Sequence, residues 1–183
     1  MIFEGKEVTV KNGIKVLIKT PTVEDAEELL RVHNQILRET EFVLSAPEDP
    51  ELSIEEEKAF IEKNIIGKGY FLCVYIDGKI AGMSGLNFNR HFRARHKGSI
   101  GISLLKEYWN IGIGSALFKI MLDLANKQEG IEILTLEYAS TNDRGRALYK
   151  KFGFKPYGVC PKALKFKDGT YGDEVMMIKY LEK

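Results

Sequence analysis

Two glycines, Gly112 and Gly114, stand between the apolar run Gly98 to Leu105 and a strongly amphipathic segment that begins at Ile113. This order predicts a strand feeding a helix through a tight turn, and therefore an α/β chain. Glycine lets the backbone approach a ligand closely, and the free N–H groups of the first helical turn present a positive dipole end. The stretch Tyr108-Trp109-Asn110-Ile111-Gly112-Ile113-Gly114-Ser115-Ala116-Leu117 is thus a candidate cradle for the phosphates of a cofactor. Two common owners of such cradles do not match. A dinucleotide fingerprint needs a third glycine where this chain has Leu117, and no Gly-Lys-Ser/Thr run of a P-loop is present.

The rest of the chain supports the same class. Ile14 to Lys19 alternates like a strand, and Thr22 with Asp25 has capping-box spacing ahead of a helix carrying Ala26, Leu29, Leu30, His33, Ile36 and Leu37. Ser53 with Glu56 repeats the signal before a second helix that ends near Gly67. Between them, Thr40 to Pro50 reads as a loop of unusually apolar content. Asp77-Gly78 joins strands Tyr70 to Ile76 and Lys79 to Asn89 in a tight hairpin. Gly98 to Leu105 and Ile131 to Tyr138 are further strands. Asn142 caps a helix that runs to about Phe152, Gly153 stops it, and two last strands flank Lys167-Asp168-Gly169-Thr170. The expectation is one domain spanning 1–183, with a mixed, mostly antiparallel sheet of about seven strands flanked by four helices.

A chain of 183 residues with no apolar run near 18 residues is read as a single domain, without a membrane partner and needing no staple. Cys73 and Cys160 lack any metal-ligand spacing, and both read as packing residues in a reducing compartment. The start, Met1 to Lys6, lacks the pattern of a signal peptide, so a cytoplasmic location is expected. Net charge is +1, which gives no reason to expect nucleic acid. The one basic patch, Arg90 to Lys97, reads as a solvated hairpin tip, and His91 and His96 have no third ligand at metal spacing.

The segment Gly101 to Leu117 resembles the acetyl-CoA motif of GCN5-related N-acetyltransferases, the GNAT family. Asn142-Asp143-Arg144-Gly145-Arg146-Ala147-Leu148-Tyr149-Lys150-Lys151-Phe152-Gly153-Phe154 resembles the family's cofactor-side helix. The match covers residues 70 to 180 well and the first 69 mainly by element order. It implies acetyl-CoA as cosubstrate, with Ile102, Ser103 and Leu104 pairing the pantetheine arm. It also implies Asn110, Ile111, Gly112, Ile113, Gly114 and Ser115 around the pyrophosphate. One departure is Trp109, where the family pattern places Gln or Arg.

The resemblance further implies Tyr149 as the general acid that reprotonates the leaving thiolate, since a phenol is protonated at neutral pH. Asn142 is then a cofactor-positioning residue. Read from their position, Lys150 and Lys151 either meet an outer phosphate of the cofactor or complement the C-terminal dipole of their helix. Many relatives carry a glutamate near position 99, where this chain has Ser99. Glu41 is the candidate base, with Glu39 and Glu137 as further carboxylates of interest. Glu39, Glu41 and Phe42 would line the acceptor site, and Asp173 and Glu174 on the final strand are similar candidates. The implied reaction moves an acetyl group directly to a primary amine of a small molecule. Alternatives are a protein N-terminus or lysine as acceptor, or a CoA-binding sensor without turnover. Apolar strands near the C-terminus make a homodimer a further expectation.

Overall fold

The computed structural model describes residues 1–182. Eight strands form one sheet: β1 (Lys6–Thr9), β2 (Lys15–Lys19), β3 (Gly69–Ile76), β4 (Lys79–Phe88), β5 (Lys97–Leu104), β6 (Ile133–Ala139), β7 (Lys155–Lys165) and β8 (Tyr171–Tyr180). Their spatial order is β1-β2-β3-β4-β5-β6-β8-β7. Only β5 and β6 run parallel. The helices are α1 (Ala26–Glu39), α2 (Ile54–Ile66), α3 (Ile113–Lys127) and α4 (Asp143–Lys151).

The sheet has one strand more than expected. Lys6–Thr9 carries little alternation because only Val8 packs inward, and the strand exists by pairing with β2. Both predicted capping boxes form: Asp25 accepts from Thr22 N–H at 2.8 Å, and Ser53 Oγ accepts from Glu56 N–H at 3.2 Å. Asp77 and Gly78 both take positive φ, 48° and 79°, as a two-residue turn joining β3 and β4 requires.

The sheet separates two cores. Leu72, Val74, Leu86 and Ile100 pack beneath α3 and α4 with Ile113, Leu117, Phe118, Met121 and Phe154. Phe71, Cys73 and Tyr75 face the other way, against Leu29, Val32, Ile36 and Ile61 of α1 and α2. Strand β3 is therefore buried on both faces, and its alternate side chains supply both cores. On the second face α1 and α2 cover β3 and β4, while Ser99, Gly101, Glu137 and Cys160 stay exposed. Exposure of Cys160 corrects its reading as a packing residue; Cys73 is buried as expected, and both thiols are free.

Strand β7 closes one side of the sheet and pairs with β8 alone. Its register breaks twice, between Pro156 and Gly158 and between Cys160 and Leu164. Residues Arg90 to Lys97 form the tip between β4 and β5, with Arg95 lying over the Phe92 ring at 4.3 Å.

Candidate active site

Strands β5 and β6 pair only at their beginnings. The parallel register joins Lys97 to Ile133, Gly98 to Leu134 and Ser99 to Thr135, and then ends. Strand β5 continues along β4 to Leu104 and β6 along β8 to Ala139, so a V-shaped split opens between them. The alternation of an antiparallel ladder fixes which backbone groups face it. Leu105 N–H donates to Ala81 O and Asn89 N–H to Lys97 O, each at 3.0 Å. Odd-numbered residues of β5 therefore bond to β4, and Ile102 and Leu104 turn their N–H and C=O groups into the split. On the opposite wall Ser140 N–H donates to Asp173 O and Leu181 N–H to Glu132 O, both at 2.8 Å. The same parity leaves Glu137 and Ala139 facing the split. An extended ligand can pair with such free edges as an added strand would. Of the three β5 residues singled out from sequence, Ile102 offers both backbone groups and Leu104 its N–H, the Leu104 C=O being taken by the Trp109 indole, whereas Ser103 spends its backbone groups on Met83.

The glycine turn lies at the open end of the split. Asn110 and Gly112 adopt left-handed φ values of 63° and 103°, which reverse the chain into α3. The first intrahelical bond of α3 is Ala116 N–H to Gly112 O at 3.1 Å, and no side chain caps this end. The N–H groups of Ile113, Gly114 and Ser115 are thus free for an anion. Behind the turn, Lys11 N–H donates to Ile111 O at 2.9 Å and Lys11 Nζ to Asn110 O at 3.2 Å. The β1–β2 connection braces it in this way. A Cβ at Gly114 would lie 3.1 Å from Leu148 Cδ2 and 3.3 Å from Ile102 Cδ1, so a larger residue would have to push these side chains back where α3, β5 and α4 meet.

Three residues of α4 at helical spacing, Arg144, Leu148 and Lys151, run along this turn. Lys151 Nζ donates to Ser115 Oγ at 3.1 Å. Arg144 Cζ sits 3.3 Å from the centroid of the Trp109 ring. The Trp109 indole N–H in turn donates to Leu104 O at 2.9 Å. Asn142 is the N-cap of α4, its Oδ1 accepting from Gly145 N–H at 2.9 Å.

Tyr149, on the last turn of α4, packs against Phe118 and Tyr138 with ring centroids 5.5 Å away in each case. Among the described residues no protein group hydrogen-bonds its hydroxyl. Burial pushes its pKa up to about 12, Tyr138 adds to the rise, and the Arg144 cation opposes it. The phenol is a proton donor throughout the neutral range.

The carboxylates divide by position. Glu39 is fully engaged, accepting from Lys106 N–H at 2.7 Å and from Gln35 Nε2 at 2.9 Å. Glu41 is exposed on the loop, and the neighbouring Phe42 N–H donates to Thr40 Oγ1 at 3.2 Å. Asp173 Oδ1 accepts from Lys162 N–H at 2.9 Å. Glu137 of β6 and Glu174 of β8 lie diagonally on the sheet face left open by α1 and α2. Burial and then the like charge of Glu137 raise the Glu174 carboxyl from its ordinary value. The sequence marks both residues as candidates, but only the β6–β8 register brings them together.

A family model described as acetyltransferase (GNAT) family matches residues 30–154. The chain belongs to the GNAT family of acetyltransferases, whose cosubstrate is acetyl-CoA. It is 29% identical to the GNAT-family acetyltransferase of Streptococcus pneumoniae, with a TM-score of 0.85 over 90% of this chain and 99% of that one. The Salmonella typhimurium protein yncA, solved with its cofactor acetyl-CoA, shares the fold at 17% identity, with a TM-score of 0.79 over 92% of this chain and 95% of that one. The L-amino acid N-acetyltransferase AaaT of Escherichia coli (strain K12) is 26% identical over 108 residues, 59% of this chain and 66% of that protein's length. Among the described residues no helix is long and apolar enough to cross a membrane, and no cluster of His, Cys, Asp or Glu could hold a metal ion.

Proposed function

We propose that this protein transfers the acetyl group of acetyl-CoA directly to the primary amine of a small molecule. The observation that carries the reading is the split between β5 and β6, with two free backbone edges leading to three free N–H groups at the start of α3. Bound acetyl-CoA supplies the thioester. Ile102 and Leu104 would hold its pantetheine arm, Asn110 to Ser115 its pyrophosphate, and Asn142 would help to position it. An Ile102 N–H directed into the split is suited to stabilise negative charge developing on the thioester oxygen. Tyr149 is the general acid for the departing sulfur, a role that suits a hydroxyl with no protein partner.

The amine must lose a proton, and Glu137 with Glu174 supports that step better than Glu41. The pair lies on the sheet face left open by α1 and α2, and burial with the like charge of Glu137 raises the Glu174 carboxyl, as a base for an amine requires. Glu39 acts as a brace between α1 and the segment before the glycine turn. Phe42 and Glu41 remain the loop side of the acceptor site. A small amine bearing a carboxylate, as in an amino acid, is favoured by the likeness to AaaT.

The test is free-thiol release from acetyl-CoA with a panel of amino acids, polyamines, aminated drugs and N-terminal peptides. Turnover confined to peptides would replace the small-molecule reading with protein acetylation. Binding of acetyl-CoA without turnover by any acceptor would leave a sensor. Tyr149→Phe should lower kcat by about 10²-fold or more while CoA affinity stays within threefold of wild type; full activity would remove Tyr149 from the mechanism.

A further inference from the structure

Arg144 carries a charge that no carboxylate among the described residues pairs. Its guanidinium carbon sits over the Trp109 ring, 3.3 Å from the centroid, and the group forms no ion pair among the described residues. The neighbouring Arg146, by contrast, is paired with Asp143 at 2.8 Å. Half-buried on the ring, Arg144 is partly stripped of water, and burial lowers its pKa from the ordinary arginine value. An unpaired, partly desolvated cation is costly unless an anion completes it.

Its location says which anion. Trp109 is the residue immediately before the Asn110–Gly112 reversal, and its indole is pinned by the bond to Leu104 O. The ring is therefore a fixed platform at the open end of the split. Arg144, Leu148 and Lys151 lie on one face of α4 and meet the turn in sequence: guanidinium at Trp109, methyls at Gly114, ammonium at Ser115. Two cations thus bracket the free N–H groups of Ile113, Gly114 and Ser115. A single carboxylate needs only one of them, whereas a diphosphate carries enough charge and length to engage both. Guanidinium also suits phosphate oxygens better than ammonium does, because its donors lie in a planar fork.

We infer that Arg144, held on the Trp109 ring, is a diphosphate-binding residue of the cofactor cradle, with Lys151 as its counterpart at the other end of the turn. This rests on acetyl-CoA being the ligand of the split. Trp109 then acts as a positioning residue: it contributes no charge of its own and sets the plane in which the guanidinium waits.

The experiment compares wild type, Arg144→Ala, Arg144→Lys and Trp109→Leu by calorimetry against CoA and against pantetheine, which lacks the phosphates. CoA binding by wild type confirms the ligand of the split; no binding overturns that reading and this one with it. With wild type binding, Arg144→Ala should weaken CoA by about 10- to 100-fold, as loss of a charged hydrogen-bonding pair predicts, and leave pantetheine unchanged. Arg144→Lys should recover part of the loss, since charge returns without the fork. Trp109→Leu should lower CoA affinity in the same direction, and its combination with Arg144→Ala should add little to the Arg144→Ala loss. The inference is overturned by CoA affinity within twofold of wild type in Arg144→Ala. It is equally overturned by parallel losses for CoA and pantetheine, or by an effect confined to the KM of a carboxylate-bearing acceptor. Melting temperatures of Arg144→Lys and wild type should agree, and CoA affinity of Arg144→Lys at the Arg144→Ala level in a fully folded protein would refute the role of its charge.

Discussion

Gly82 of β4 lies against the wall of the split, and adding one methyl group there should disturb it. A Cβ at this position would overlap the Ser103 carbonyl oxygen and stand 2.9 Å from Leu104 Cα and 2.5 Å from Leu104 Cδ2. Carbon atoms rest at roughly 3.5–4.0 Å, so β4 and β5 would have to separate by about 0.6–1 Å. A side chain can rotate away; these neighbours are largely backbone. Overpacking of this kind costs about 1–3 kcal/mol, and a domain of this length loses roughly 2–4 °C of Tm per kcal/mol. Gly82→Ala should therefore melt about 2–12 °C below wild type. Because Ile102 and Leu104 move with the strand, CoA affinity should fall by about tenfold or more. Gly101→Ala is the control on β5, since a Cβ there meets nothing within 4 Å. It should keep its Tm or gain a few degrees through reduced freedom of the unfolded chain, about 0.4–1 kcal/mol. Differential scanning fluorimetry and CoA calorimetry on both variants check this. If Gly82→Ala melts within 1 °C of wild type and binds CoA equally well, the close approach of β4 to the cleft wall does not govern the site.

Glu174→Gln should lower kcat/KM by at least tenfold near neutral pH and flatten the acidic limb of the pH profile, whereas Glu41→Gln should change neither; the opposite pattern would return the base to the loop. Ser84 Oγ is buried in the core without a hydrogen-bond partner, so Ser84→Ala should be neutral or raise stability by up to about 1–3 kcal/mol in a urea melt. For Tyr149, a folded pKa of about 12 lies above the unfolded value near 10. The folded state then holds its proton more tightly, and this part of the stability is present below pH 10 and lost between roughly pH 10 and 12. It amounts to about 3 kcal/mol, and Tyr149→Phe should blunt the alkaline loss by that order; an unchanged alkaline transition would count against burial as the cause.

Local chemistry made much of the fold legible. Ser53 and Glu56, Asp77-Gly78 and Gly153 each dictate a cap, turn or stop within a few residues, and each forms where the sequence places it. Strand β1 was not legible because its stability comes from the β2 backbone and one inward side chain, Val8. The insertion of β8 between β6 and β7 depends on pairings distant in sequence, as does the diagonal meeting of Glu137 with Glu174. Among site residues, the backbone cradle could be read from Gly112 and Gly114, but the parity that turns Ile102 inward and Ser103 toward Met83 needs the register. Glu39 looked like a pocket carboxylate because its partner, the Lys106 N–H, lies 67 residues away. The stacking of Arg144 on Trp109 left one trace in the sequence, the 144, 148, 151 spacing on α4, which has meaning only once α4 is known to lie beside the glycine turn.

The irregular course of β7 bears on how this protein meets copies of itself. An open sheet ends in unpaired backbone groups, and a long flat border is a template on which further chains can grow. Here Pro156 and Pro161 each withhold a donor, Lys162 is turned to a left-handed φ of 54°, and lysines at 155, 162 and 165 place like charges along one strand. A second copy approaching that border would find an interrupted ladder and a repelling row of ammonium groups. Self-association through this end of the molecule would have to use exposed side chains such as Tyr157 and Val159. The residues that make β7 crooked are thus the same ones that make its border a poor template for a ninth strand.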